Sequence, residues 1–388
     1  MEQAVETYSE SARTDAEAQV ADLRSRIIAA IRACPDPDRE KGCLEPDQEF
    51  SGVSEDDFDA LMEAVFEDDK LLRKPSYAPH LERLTLVLPT QFHADIRTLM
   101  RSNLLRAVRL LIAIGKEFDF KIYVFEMSTR MFTDNDHGYV NFGVPDLQLE
   151  LECYDLEPGF PLWCMEISFL QSSDEVVDKL KRFAAHPDII ALTLFDISEF
   201  VRYSPPKDDS VTVEMLSEKD VLLSFREWSR PQNHPLVNGV SSFGHTWIHP
   251  LSVTITSWLR PREGTFDLDD YTPGVYASAQ FSPSRDSDGL ESLQRIFRRT
   301  LGRIQGALLT SVKQQVAQDG LHVGSIKAVR DWTPPSELVN WDNLMKVLER
   351  SAARTGYARY RAWHTKFLER NASTPQNSPG AGSDHQGN

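Results

Sequence analysis

The run DIIALTLFDIS, residues 188–198, is apolar at almost every position and follows at once on a segment stopped by Pro187. It lacks the alternation of a strand with one wet face, so it reads as a parallel strand buried on both faces. A parallel neighbour requires a crossover, and SSDEVVDKLKRFAAHP supplies one. Ser172 and Glu175 stand at capping-box spacing, and Val176, Leu180, Phe183 and Ala184 form an apolar stripe that leaves Lys179 and Lys181 outside it. The segment PLWCMEISFL precedes this helix, so strand, helix and strand should close as a right-handed parallel unit.

Upstream, VPDLQLELE alternates strictly, sending Leu147, Leu149 and Leu151 to one face and Asp146, Gln148 and Glu150 to the other. A turn containing Glu157-Pro-Gly would let it pair antiparallel with PLWCMEISFL. FKIYVFEMS reads as a further strand, joined to VPDLQLELE by a polar loop, TRMFTDNDHGYVNFG. Before it lie a short strand, LTLVL, and a helix ending near Gly115 with Ile96, Met100, Leu104, Ala107, Val108 and Leu111 on one stripe. Arg97, Arg101, Arg106 and Arg109 on the opposite side read as a solvated face. The predicted order is helix, three strands, helix, strand. That is an α/β fold with a mixed sheet flanked by helices, spanning residues 84–200.

The flanks differ in charge. Of the net −17, residues 1–70 hold 20 acidic and 7 basic side chains (−13), whereas 291–370 hold 7 and 14 (+7). Residues 1–80 read as an acidic helical extension, with helices at 16–33 and 57–70 separated by CPDPDREKGCLEPDQEFSG. Residues 201–285 read as a loop- and strand-rich extension, containing the amphipathic EKDVLLSFREWS and one or two strands in HTWIHPLSVTITSWL. Residues 286–370 read as a basic helical region with helices at 287–318 and 339–368, and 371–388 have the composition of a disordered tail. A basic C-terminal surface could meet phosphates. No apolar run reaches the roughly 20 residues of a membrane span, and the acidic start lacks a signal-peptide core, which predicts an intracellular chain, cytoplasmic or nuclear. Cys34, Cys43, Cys153 and Cys164 show no CxxC pairing, so neither a zinc site nor a disulfide framework is expected.

Chemistry concentrates at two acidic positions. Pro-Asp occurs five times, but only Asp146 lies on a strand followed 20 residues later by an acid, Glu166, inside a second apolar strand. A carboxylate there needs solvent, a cation or a hydrogen-bond partner. Two carboxylates converging from paired strands suit Mg²⁺ or Mn²⁺, with water and a substrate phosphate completing the shell. Motif and element order together resemble the PD-(D/E)xK nuclease superfamily. More closely, they resemble uncharacterised, mostly fungal, restriction-endonuclease-like proteins whose strand motif reads Glu-Val-Gly-x-Ser-Gln-Ser, here Glu166-Ile167-Ser168-Phe169-Leu170-Gln171-Ser172. The resemblance implies a restriction-endonuclease-like core, Asp146 and Glu166 as metal ligands, and phosphodiester hydrolysis in DNA or RNA.

The departure is the motif lysine, whose place Ser168 takes. Three substitutes are open: Gln171, Lys179 and Lys181, the lysines reaching back from the following helix. An inactive pseudonuclease that binds nucleic acid or protein is the competing expectation, and no protein partner is indicated. His93, Asp134, Asp136 and His137 are weaker candidates, as are His245 and His249 in HTWIH. Gln148 and Glu150 are explained by a half-exposed strand.

Overall fold

The computed structural model describes residues 18–30, 48–66 and 74–373, the last with short gaps at 79–80, 88–89, 116–119, 127–130, 136–137, 154–155, 172, 217–218, 220, 230–233 and 320–322. A small N-terminal layer comes first: helix α1 (residues 18–30), strand β1 (Gln48–Ser51), helix α2 (Glu55–Phe66), and strands β2 (Lys74–Ala78) and β3 (Arg83–Val87). The β3 strand lies between β1 and β2 in an antiparallel sheet, so LTLVL belongs to this layer. Ser54 begins α2, its hydroxyl accepting from the Asp57 amide at 3.1 Å, and Arg24 of α1 holds the Asp57 carboxylate at 2.6 Å. Ile27, Phe58, Leu61, Met62, Leu84 and Leu86 form the layer's own core, which also takes in Val144.

The main body follows. Helix α3 (Gln91–Gly115) leads into β4 (Phe120–Glu126), a hairpin of β5 (Met131–Asn135) and β6 (Gly138–Gly143), then β7 (Leu147–Cys153), β8 (Leu156–Phe169), α4 (Ser173–Ala185) and β9 (Ala191–Glu199). Short helices α5 (Val211–Leu216), α6 (Phe225–Trp228) and α7 (Pro235–Asn238) precede the hairpin β10 (Val240–Ser242) and β11 (His245–Ile248). The chain then adds β12 (Leu251–Leu259), β13 (Tyr276–Ser282), α8 (Ser287–Asp319), α9 (Val323–Asp331) and α10 (Trp341–Ser373).

Six strands make one mixed sheet in the order β13-β12-β9-β8-β7-β4, within which β8 and β9 are the parallel pair and the other neighbours run antiparallel. Helix, three strands, helix and strand thus occur as expected, with β4, β7 and β8 as the three. One sheet face packs on α3, α8 and α10 in a single hydrophobic cluster running from Phe92 to Phe367. Within it Trp163 stands 5.5 Å from Phe297 of α8, and its indole donates to the Thr193 hydroxyl at 3.0 Å, so the one polar atom of a buried ring is satisfied. The segments on either side of residue 200 share this core, because β12 and β13 extend the same sheet and α8 and α10 cover it.

The opposite face is covered by α4 only over part of its length. Cys164, Leu192 and Trp258 lie beneath Val176, Leu180 and Phe183. Farther along β9, Asp196 and Ser198 are exposed on this same face. Beside them Thr254, Thr256, Ser278 and Gln280 are half-buried and bonded in cross-strand pairs, Thr256 to Ser278 at 2.9 Å and Thr254 to Gln280 at 3.2 Å. The apolar run DIIALTLFDIS is therefore buried on both faces in its first half and emerges in its second.

Other expectations are corrected. TRMFTDNDHGYVNFG contains the β5–β6 hairpin rather than a plain loop. Glu157-Pro-Gly is not the turn but part of β8, where the β7–β8 register slips between Leu149 and Glu150 and again between Leu151 and Cys153. Bulges of this kind absorb a proline that an unbroken ladder would not. EKDVLLSFREWS is helical in its described residues only as the single turn Phe225–Trp228, closed by a Ser224/Glu227 capping box. His245 lies in a strand and His249 just beyond it, not on a helix. The Ser172 end of the expected capping box, the 31–47 link and residues 374–388 of the expected tail lie outside the described residues, while 371–373 are helical in α10. Among the described residues no helix is long and apolar enough to cross a membrane.

A shared core predicts shared unfolding. Phe297→Ala should cost about 3–5 kcal/mol, lowering the urea midpoint by the same amount whether tryptophan fluorescence or far-UV circular dichroism reports it. Separate midpoints for the two signals would show that α8 and the sheet melt independently.

Candidate active site

The antiparallel register of β7 and β8 pairs Leu147 with Met165, which sets Asp146, just before β7, opposite Glu166. Cross-strand partners share a face, so both carboxylates stand on the α4 side of the sheet, opposite the face that buries Leu147, Leu149, Met165 and Ile167. A single bond secures the arrangement: the Ile167 amide donates to Asp146 Oδ2 at 2.7 Å. Asp146 is thereby bound to the residue that follows Glu166, and the two acids cannot drift apart without breaking it.

A cation completes the group from above. Lys179 Nζ on α4 lies 2.8 Å from Glu166 Oε1 and 5.5 Å from the centre of the Phe183 ring. Of the three side chains expected to stand in for the motif lysine, Lys179 is the one in contact with Glu166. Its side chain is not outside the helix's apolar stripe but within it: Val176, Lys179, Leu180 and Phe183 are spaced i, i+3, i+4, i+7, a pattern visible in the sequence once Lys179 is admitted to it. Lys181 is exposed on another side of α4, and Gln171 is half-buried past the end of β8. Neither joins the site. Ser168, in the lysine's place, is buried, and its hydroxyl hydrogen-bonds the Asp196 carboxylate.

No family model, curated protein or solved structure matches this chain. The site therefore has to be read from its own geometry.

That geometry is closed. Asp146, Glu166 and Lys179 retain 0%, 1% and 5% of their accessible surface. Gln148 and Glu150, expected on a half-exposed strand, are buried too, with Gln148 Nε2 donating to Glu150 Oε2 at 2.7 Å. Burial pushes the Glu150 carboxyl up, against that bond. A Cβ on Gly159 would meet the Glu150 carboxylate, so the two strands pass close together here. The Cys164 thiol is held well above its usual value, chiefly by burial and further by the Glu166 and Glu150 charges, with Lys179 opposing. These groups are buried together on one face of the sheet.

Two adjacent carboxylates fit a hard divalent cation in donor type. They are only two: among the described residues no group of three or more His, Cys, Asp or Glu side chains is placed to hold a metal ion. The weaker candidates whose side chains are described make other contacts. His93 is buried at the start of α3, where its Nδ1 lies 2.9 Å from the Thr90 hydroxyl and 3.3 Å from the Thr90 amide, a helix-entry contact. Asp134 lies in β5, and Asp136 and His137 lie outside the described residues. His245 packs against Tyr203 and Trp247, and burial lowers its pKa.

Removing one partner of a buried ion pair strands the other. Lys179→Met should destabilise by about 3–5 kcal/mol, and adding Glu166→Leu to it should recover most of that loss; additive losses in chemical denaturation would show that the pair is not coupled. Glu150 yields a prediction of opposite sign. Its folded pKa is raised, so the unfolded chain ionises first and stability falls as pH climbs from the usual carboxylate value of about 4.3 through the folded one. Glu150→Gln should therefore melt above wild type at pH 7, with the gap closing below pH ~4; a gap that does not vary with pH would count against it.

Proposed function

We propose that the chain carries a restriction-endonuclease-like core and acts as a metal-dependent phosphodiesterase in which Lys179 supplies the cation that Ser168 cannot. The supporting observation is the ammonium 2.8 Å from Glu166 on the strand face that also carries Asp146. The strand order β9-β8-β7-β4, with β8 and β9 parallel and α4 crossing between them, agrees with that fold. Asp146 and Glu166 would hold Mg²⁺ or Mn²⁺, which when bound polarises a phosphodiester and acidifies a water. Lys179 Nζ would hold a positive charge toward the oxygens on which negative charge develops, the task of the motif lysine. The Ile167 amide orients Asp146, a positioning role.

A second reading retains the fold and omits the chemistry, and the burial of Asp146, Glu166 and Lys179 favours it. On that reading the three groups form a structural ion-pair cluster and the domain binds rather than cuts.

One assay separates them: Mg²⁺- or Mn²⁺-dependent cleavage of single- and double-stranded DNA and RNA by the full chain. Wild type should cut, while Asp146→Asn, which keeps an acceptor for the Ile167 amide, and Lys179→Met should each lose on the order of 100-fold or more. Equal cleavage by wild type and Asp146→Asn, or none by wild type with either metal, rejects the catalytic reading.

A further inference from the structure

The strands β8 and β9 run parallel, so they end on the same edge of the sheet, and Asp146 at the start of the antiparallel β7 lies toward that edge too. Beyond it, Leu170 opens a cleft of about 1590 Å³ between the 202–208 segment and one side of α10. Leu170 is four residues past Glu166 and is itself half exposed at a left-handed φ of 63°, turning the chain out of β8 at the cleft's rim. The cleft exceeds the roughly 300–1,000 Å³ of a small-molecule pocket. Its dimensions suit part of a polymer.

The walls are held by groups that the proposed chemistry does not use. Arg359 of α10 is buried in an ion pair with Glu199 at the end of β9, and its guanidinium stacks 4.4 Å from the Tyr203 ring. This clamp fixes the 202–208 segment against the helix. The lining above it is basic. Arg202, Lys207 and Lys366 are exposed, and among the described residues no carboxylate pairs with them. Arg370, one helical turn beyond Lys366, lies 3.4 Å from Asp208, a contact that is exposed on both sides and therefore weak. Glu369 is the other acid of the lining. Lys366 and Arg370 are four residues apart, about 6 Å along the helix, the scale on which successive phosphates follow one another in an extended strand. Tyr203 and Trp363 also line the cleft, Tyr203 under the Arg359 guanidinium and Trp363 almost wholly buried.

This positive cleft belongs to a chain of net charge −17, so it is a local arrangement and not general basicity. We propose that the cleft between the 202–208 segment and α10 binds the phosphate backbone of single-stranded nucleic acid. A groove whose cations track the backbone is the electrostatic part of a single-strand site. The proposal deepens the nuclease reading by naming its substrate class, and it leads the strand to the sheet edge where the carboxylates lie.

Binding is measured in EDTA by fluorescence anisotropy with a labelled 15-nucleotide single strand, so that cleavage plays no part and a failed nuclease reading leaves the result interpretable. Wild type should bind, with affinity falling steeply in salt. Lys207→Glu/Lys366→Glu, at two exposed positions, should weaken binding at least tenfold and flatten the log–log salt slope by about 1.4, two phosphate contacts at ~0.7 each. Arg202→Glu should weaken it as well. Unchanged affinity and slope in both variants, with wild-type circular dichroism, would overturn the proposal. Tighter binding of a duplex of the same length, or equal binding of a poly-glutamate peptide of the same charge, would overturn the single-strand or the nucleic-acid assignment respectively.

Discussion

An ammonium and a carboxylate, 2.8 Å apart and both withdrawn from water, set the terms for the centre of this protein. Neither charge is tolerable there alone. Lys179 therefore holds α4 down on β8 at one rotational setting, and that setting presses Val176, Leu180 and Phe183 onto Cys164, Leu192 and Trp258. A hydrophobic helix could pack on a sheet at several settings of similar energy. A lysine in its apolar stripe, with one acceptor beneath it, leaves one.

The parallel pairing of β8 and β9 is the second constraint, and it explains where the polar groups gather. The crossover places α4 over the first half of β9 and leaves the second half open, so Asp196 and Ser198 emerge just where the helix no longer covers the sheet. Because both strands end at the same edge, Leu170 and Arg202 come out together there, and α10 meets them from the other face of the sheet. The carboxylates and the basic cleft thus lie toward one margin of the molecule through strand direction alone, although they occupy opposite faces.

The N-terminal layer ties into the same place. Val144, two residues before Asp146, packs in that layer's core, and Arg83 of β3 reaches Glu175 of α4 at 2.7 Å. The N-terminal extension that looked like an accessory from its composition thus packs against the chain just ahead of Asp146.

Periodicity and breakers were enough to read the element order and the face on which Asp146 and Glu166 stand, because strand alternation is a local property of the backbone. Pattern also marked DIIALTLFDIS as a strand, covered on both sides only over its first half, and the i, i+3, i+4, i+7 spacing of Lys179 was present, masked by lysine's preference for the surface. Register slips such as those that take Pro158 and Gly159 into β8 were not legible, since they depend on the partner strand. Nor was the burial of Gln148 and Glu150, whose polar identity argues for solvent until a hydrogen-bond partner is in place. The chain order by itself determined which groups could share a sheet face. Only the tertiary structure decided that Lys179 rather than Gln171 or Lys181 meets Glu166, and that the cluster is closed, because both depend on how separate layers pack, and the free energy of burying a charge is set by everything that surrounds it.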